Sequence, residues 1–149
     1  MLATLRSKSI WAKGAIPLIE YKYRNLKRIV LPVIDLIFAG GGIMGAIHGI
    51  PALDQIFSRE VSEIGGYTFA FVALVCFVGV SFPRLWLLEI FGKSALLGMI
   101  GGYIAALIFG AFVTKTSAAY VLSLAIPSGI FIYWRLTLLS EEARDRGPR

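Results

Sequence analysis

Four long apolar runs, over residues 29–50, 65–82, about 95–113 and 118–139, constrain this chain more than any other feature. At a rise of about 1.5 Å per residue the longest run, of 22 residues, extends about 33 Å and the shortest, of 18, about 27 Å. Each matches a hydrocarbon core about 30 Å thick. Only 16% of the residues are charged, where a soluble domain carries about 25%, and the charges collect between the runs. A chain of 149 residues has too little surface-forming sequence to hide four such helices in one water-soluble core. The expected fold class is an all-α integral membrane protein with four transmembrane helices. It divides into a basic segment 1–28, a membrane domain 29–139 and a polar tail 140–149.

Orientation follows from the fifteen Lys and Arg. With both termini cytoplasmic, the seven before the first span, Arg84 and Lys93 in the second loop, and Arg135, Arg144, Arg146 and Arg149 at the end all face the cytoplasm. Only Arg59 and Lys115 remain outside, the asymmetry that the positive-inside bias predicts. The net charge of +6 is thereby accounted for by topology. Lys22, Arg24, Lys27 and Arg28, placed directly before a span, are expected to contact anionic lipid headgroups, and no nucleic-acid partner is expected.

The basic segment has Ile16, Ile19, Tyr23 and Leu26 at helical spacing and Trp11, Tyr21 and Tyr23 suited to the headgroup region, so it is expected to form an interfacial helix. In the first outer loop, "PALDQIFSREVSEIGG" sets Leu53, Ile56, Phe57, Val61 and Ile64 on one face. That pattern predicts a short amphipathic helix ended by Gly65 and Gly66. The second span, with no ionisable side chain, is expected to face lipid. Between spans two and three, "LWLLEIFG" fits either an interfacial segment or the first turns of a longer third helix. The tail is expected to fray.

Five glycines between residues 39 and 51 would break a water-exposed helix of this length, since each costs about 1 kcal/mol relative to alanine. In a bilayer the helix persists, and a missing side chain lets another helix approach. Gly41, Gly45 and Gly49 are spaced by four, with Gly42 and Ala46 in a parallel row. In the third span Ser94, Gly98, Gly102, Ala106 and Gly110 repeat the same spacing. Residues four apart stack on one ridge, so both series predict tight packing, either of the first span on the third or between copies.

Ionisable groups inside spans are costly unless paired. Asp35 and Arg135 lie at similar depth in antiparallel helices and are expected to form an intramembrane charge pair. Asp35 is alternatively a proton or cation site, with His48, near the outer end of the first span, as a candidate pH sensor. Pro127 is expected to kink the fourth span. Cys76, the single cysteine, is expected to be a small packing residue.

With one histidine, one cysteine and no paired carboxylates within the spans, nucleophilic and metal chemistry lack parts, so no catalytic residue, metal or cofactor is expected. "GGIMGAIHG" slightly resembles the glycine-rich opening of small four-span fluoride channels, but Gly49 stands where their arginine is expected and the third span lacks their Thr-Thr-Phe-Ser break. Small multidrug exporters are similar only in span count and in an acid within the first span. Three functions fit. The first is a non-enzymatic membrane protein that works by self-association, such as a holin-like lesion former from a bacteriophage. The second is an accessory or anchoring subunit with a membrane-protein partner. The third is a small transporter or channel using Asp35. The expected location is a bacterial cytoplasmic membrane, multi-pass, as a homo-oligomer or with a partner.

Overall fold

In a computed structural model, described over residues 9–12, 25–49, 54, 57–111 and 118–145, the apolar runs become four helices. They are α1 (Leu26–His48), α2 (Arg59–Ser81), α3 (Trp86–Ala111) and α4 (Ala118–Asp145). All four are long and apolar enough to cross a membrane, and no strand occurs among the described residues. The first turn of α1, Leu26–Val30, has the wider π pitch, and Pro32 falls at the start of the regular α-helical part, Leu31–His48. A single 3-10 turn, Pro83–Leu85, joins α2 to α3.

Direction alternates from helix to helix. Gly42 approaches Ala70 while Gly66 approaches Ala46; Gly79 meets Glu89 while Gly92 meets Cys76. Arg135 meets Glu89, whereas Gly129 lies near Ile100. Each pairing reverses the sequence order, so the bundle is up-down-up-down, as short connections require. In chain order each helix packs on the next, and α1 shares no comparable face with α3 or α4 among the described residues.

The closest approach is between α1 and α2. A Cβ on Gly42 would lie 2.7 Å from the Ala70 backbone nitrogen, and one on Gly66 would lie 2.6 Å from that of Ala46. Neither position has room for a methyl group, so the glycines set the separation of the two backbones. The partner of the first span is therefore the second, not the third. The second is also not simply lipid-facing: Gly66, Ala70, Ala73, Cys76 and Val80 are buried at three- and four-residue spacing. This small-residue stripe is masked in the sequence by the Phe and Val side chains that occupy the other faces. Ala39, Ala73, Cys76, Leu96, Ile100 and Ile132 join all four helices in one core.

Several boundaries differ from the sequence expectation. The outer amphipathic helix was expected to end at Gly65 and Gly66, but α2 begins at Arg59 and runs through both. In the bilayer context a glycine pair does not expose the backbone to water, and Gly66 gains a packing partner. Residues 51–53, 55 and 56 of that expected element lie outside the described residues. Of the two options for "LWLLEIFG", the longer third helix is the one formed. The tail does not fray at residue 140, since α4 continues to Asp145. Most of the expected interfacial helix, residues 1–8 and 13–24, lies outside the described residues. Residues 9–12 form a turn against the end of α2, with the Ile10 N–H donating to the Ser81 carbonyl at 2.9 Å.

Cys76 is fully buried beside Gly92. In detergent-solubilised folded protein its thiol should resist a maleimide reagent, and it should react fully once the bundle is unfolded. Rapid labelling of the folded protein would contradict the α2–α3 contact.

Candidate functional site

The most unusual chemistry in the bundle is a set of six ionisable side chains near one end, where α1 and α3 begin and α2 and α4 finish. The stripes that build the core carry them inward. Asp35 follows Leu31 on the buried face of α1; Glu89 and Lys93 precede Leu96 and Ile100 on that of α3; Arg135 lies between Ile132 and Leu139 on α4. Asp35 and Lys93 are both fully buried, and Glu89 and Arg135 are each 4% exposed.

The Lys93 ammonium donates to Asp35 Oδ1. Arg135 Nε donates to Glu89 Oε1 at 2.7 Å, and another of its guanidinium nitrogens to Glu142 Oε1 at 3.3 Å. Lys27 Nζ donates to the same Glu142 oxygen at 2.6 Å, linking the first turn of α1 to the last turns of α4. Glu89 and Lys93 are one helical turn apart on α3, so that helix presents an acid to α4 and a base to α1. The six groups, Lys27, Lys93 and Arg135 against Asp35, Glu89 and Glu142, balance to zero. Buried charges are tolerated on those terms, because each has an opposite charge at hydrogen-bond distance.

This arrangement corrects the expected Asp35–Arg135 pair. Both residues face the core at one end, as their depths required, but α3 supplies a separate partner to each. Glu89 and Lys93 were missed because they fall beside the charged second loop, where a basic residue reads as topology and an acidic one as an interface edge. The available signal was their register: both lie on the same three- and four-residue stripe as Leu96 and Ile100. The headgroup assignment also changes for two residues. Lys27 is 9% exposed and paired with Glu142. Arg28 donates to the carbonyls of Ile10 and Ala12, at 3.0 and 2.9 Å, while Trp11 Nε1 donates to the Arg28 carbonyl. These contacts fold residues 9–12 against the base of α1. Lys22 and Arg24 lie outside the described residues.

Asp35 and His48 do not form one site. Thirteen residues of α1 separate them, about 20 Å by helical rise, and His48 is exposed at the far end. There Arg59 donates to the Ile47 carbonyl at 2.7 Å, satisfying one of the free carbonyls that end α1. Gly49 closes the helix with φ +85°, a backbone conformation that side chains rarely adopt, so its glycine serves the turn and not the ridge. Gly45 is buried and Gly41 is exposed, so the row actually used against α2 is Gly42 and Ala46 with Gly45 beside them.

The ridge on α3 behaves differently. Ser94, Gly98 and Gly102 are exposed, and a Cβ placed on either glycine would meet nothing within 4 Å. Gly101 is open in the same way, Ala106 is half-buried, and Gly110 lies in the last turn of α3. One small-residue surface is thus consumed inside the chain and the other faces outward. Among the described residues no group of three or more His, Cys, Asp or Glu is placed to hold a metal. The chain matches no protein-family model, no curated protein and no solved structure.

Proposed function

We propose that this is a non-enzymatic four-span protein of a bacterial cytoplasmic membrane, with both termini cytoplasmic, that acts by lateral self-association in the manner of a holin-like lesion former. The outward ridge Ser94, Gly98, Gly102 is the observation that carries the reading. On a face that meets only lipid, glycine adds nothing to packing; against another helix, it permits the close backbone approach already realised between α1 and α2. Copies meeting through α3 would repeat that contact between chains. The Lys93 ion pair supports a structural role for Asp35, since that partner is internal and the six charges cancel, although Asp35 Oδ2 is buried without a hydrogen-bond partner among the described residues.

The test is controlled expression in a bacterium while membrane potential and viability are followed. Wild type is expected to depolarise the membrane abruptly. Gly98→Leu and Gly102→Leu, which add bulk in open space, should insert normally and lower the depolarised fraction by roughly tenfold or more, as loss of about 1.4 kcal/mol per contact implies. A wild type that inserts and leaves the potential unchanged would defeat lesion formation. Co-purification of a stoichiometric membrane partner in that case would favour the anchoring subunit.

A further inference from the structure

In the half of the bundle away from the charge network, the four helices enclose a partly open cavity of about 320 Å³. Its α1–α2 wall is bare backbone, formed by Gly41, Gly42, Gly65 and Gly66. Phe38 and Phe69, edge to face with centroids 6.0 Å apart, lie beside it, and Met99, Ile100 and Leu124 come from the opposite helices. We infer that this cavity holds one acyl chain of an anionic bilayer phospholipid. The inference stands on the interior of a single chain and is independent of association through the outward α3 ridge.

Water is a poor occupant. A buried water needs two to four polar partners, and among the described residues the lining side chains offer only the hydroxyls of Tyr103 and Ser128. Ser128 already donates to the Leu124 carbonyl at 2.8 Å. The volume is about twice that of the roughly 150 Å³ apolar cavity that accepts a benzene ring, so it suits a hydrocarbon segment. The way in follows from the packing order: α1 and α4 both line the cavity, yet share no extended packed face among the described residues. A gap between two membrane-spanning helices opens to lipid tails.

Charge fixes the end from which the chain enters. Arg59 lies six residues before Gly65 on α2, and the Ile47 carbonyl that it binds lies six residues after Gly41 on α1. By either helix the guanidinium sits about 9 Å beyond the glycine wall. Its side chain remains 50% exposed, though shared with Asp54 at 3.5 Å. A phosphate at Arg59 therefore leaves its acyl chain directed along the glycine wall into the cavity, with the polar part in the interfacial zone.

The experiment uses the full chain in vesicles of phosphatidylglycerol carrying a mid-chain diazirine, with cross-links mapped by peptide mass. Wild type should be labelled at Phe38, Phe69 and Met99 as well as at the outward Phe71 and Phe109. Gly41→Leu and Gly65→Leu should reduce cavity labelling by roughly tenfold, because the added side chain takes the same space, while Phe71 and Phe109 stay unchanged. Gly41→Ala and Gly65→Ala, each adding one carbon where nothing lies within 4 Å, supply a milder filling if leucine disturbs folding. Arg59→Ala should remove the preference for phosphatidylglycerol over phosphatidylcholine. Cavity residues that stay unlabelled in wild type, as they would if a second copy filled the space, overturn the inference. So does cavity labelling that the filling variants leave unchanged, or a headgroup preference that survives Arg59→Ala.

Discussion

Asp35→Ala is expected to destabilise the bundle by about 3–5 kcal/mol, the range for removing one partner of a buried ion pair. The truncation leaves Lys93, itself fully buried, without its Asp35 partner and shielded from bulk solvent. The outcome should be a sharp fall in membrane-inserted protein and unfolding at lower SDS fraction in a mixed-detergent titration. Asp35→Ala combined with Lys93→Met should recover most of the loss, since an apolar side chain of similar length removes the stranded charge. Exchanging Asp35 with Arg135 should not rescue, because it would set an arginine against Lys93 and an aspartate against Glu89. An Asp35→Ala protein as stable as wild type would contradict the network.

The second large effect is expected at Gly66. A leucine there would have to displace the Ala46 backbone nitrogen and the Gly42 carbonyl oxygen, which lie 2.6 and 2.8 Å from the position of its Cβ. Side chains can rotate away from an intruding group, but helix backbone cannot, so α1 and α2 must separate along their whole contact. Overpacking costs about 1–3 kcal/mol where the surroundings yield, and this site lies at the upper end or beyond. Gly65→Leu supplies an internal control one residue away, since its Cβ meets nothing within 4 Å. Gly66→Leu should abolish accumulation of folded protein at an expression level where Gly65→Leu accumulates normally. Equal behaviour of the two would mean that α1 and α2 do not meet at this face.

The two positions illustrate how differently a membrane sequence encodes its parts. Gly65 and Gly66 are adjacent and chemically identical, and as a pair they read as a helix stop. What separates them is a rotation of about 100° around α2, which turns one toward Ala46 and the other toward the cavity wall. Likewise the Gly98 and Gly102 ridge and the Gly42 and Ala46 row have the same spacing, yet only the second is buried within the chain. Spacing establishes that a smooth ridge exists. It carries no information about what covers it.

The charged groups show the same division. Asp35 and Arg135 stood out because an ionised side chain within an apolar run must be compensated. Glu89 and Lys93, the groups that compensate them, lie nearer the loop, where charges are ordinary and draw no notice. Their meaning depends on α3 starting at Trp86, early enough for both to be carried onto the core-facing stripe of a continuous helix.

The sequence by itself therefore determined the number of spans, the need to compensate Asp35 and Arg135, and the presence of small-residue ridges. Each of these depends on one segment and its solvent, because a segment in hydrocarbon can satisfy its backbone by itself only as a helix and a charge there must find a partner. Only the tertiary structure decided that α2 and not α3 covers the first ridge, that α3 divides its acid and base between α4 and α1, and that a cavity remains between them. Those choices depend on the rotation of each helix about its axis, and a preference that small is set by how whole surfaces fit together.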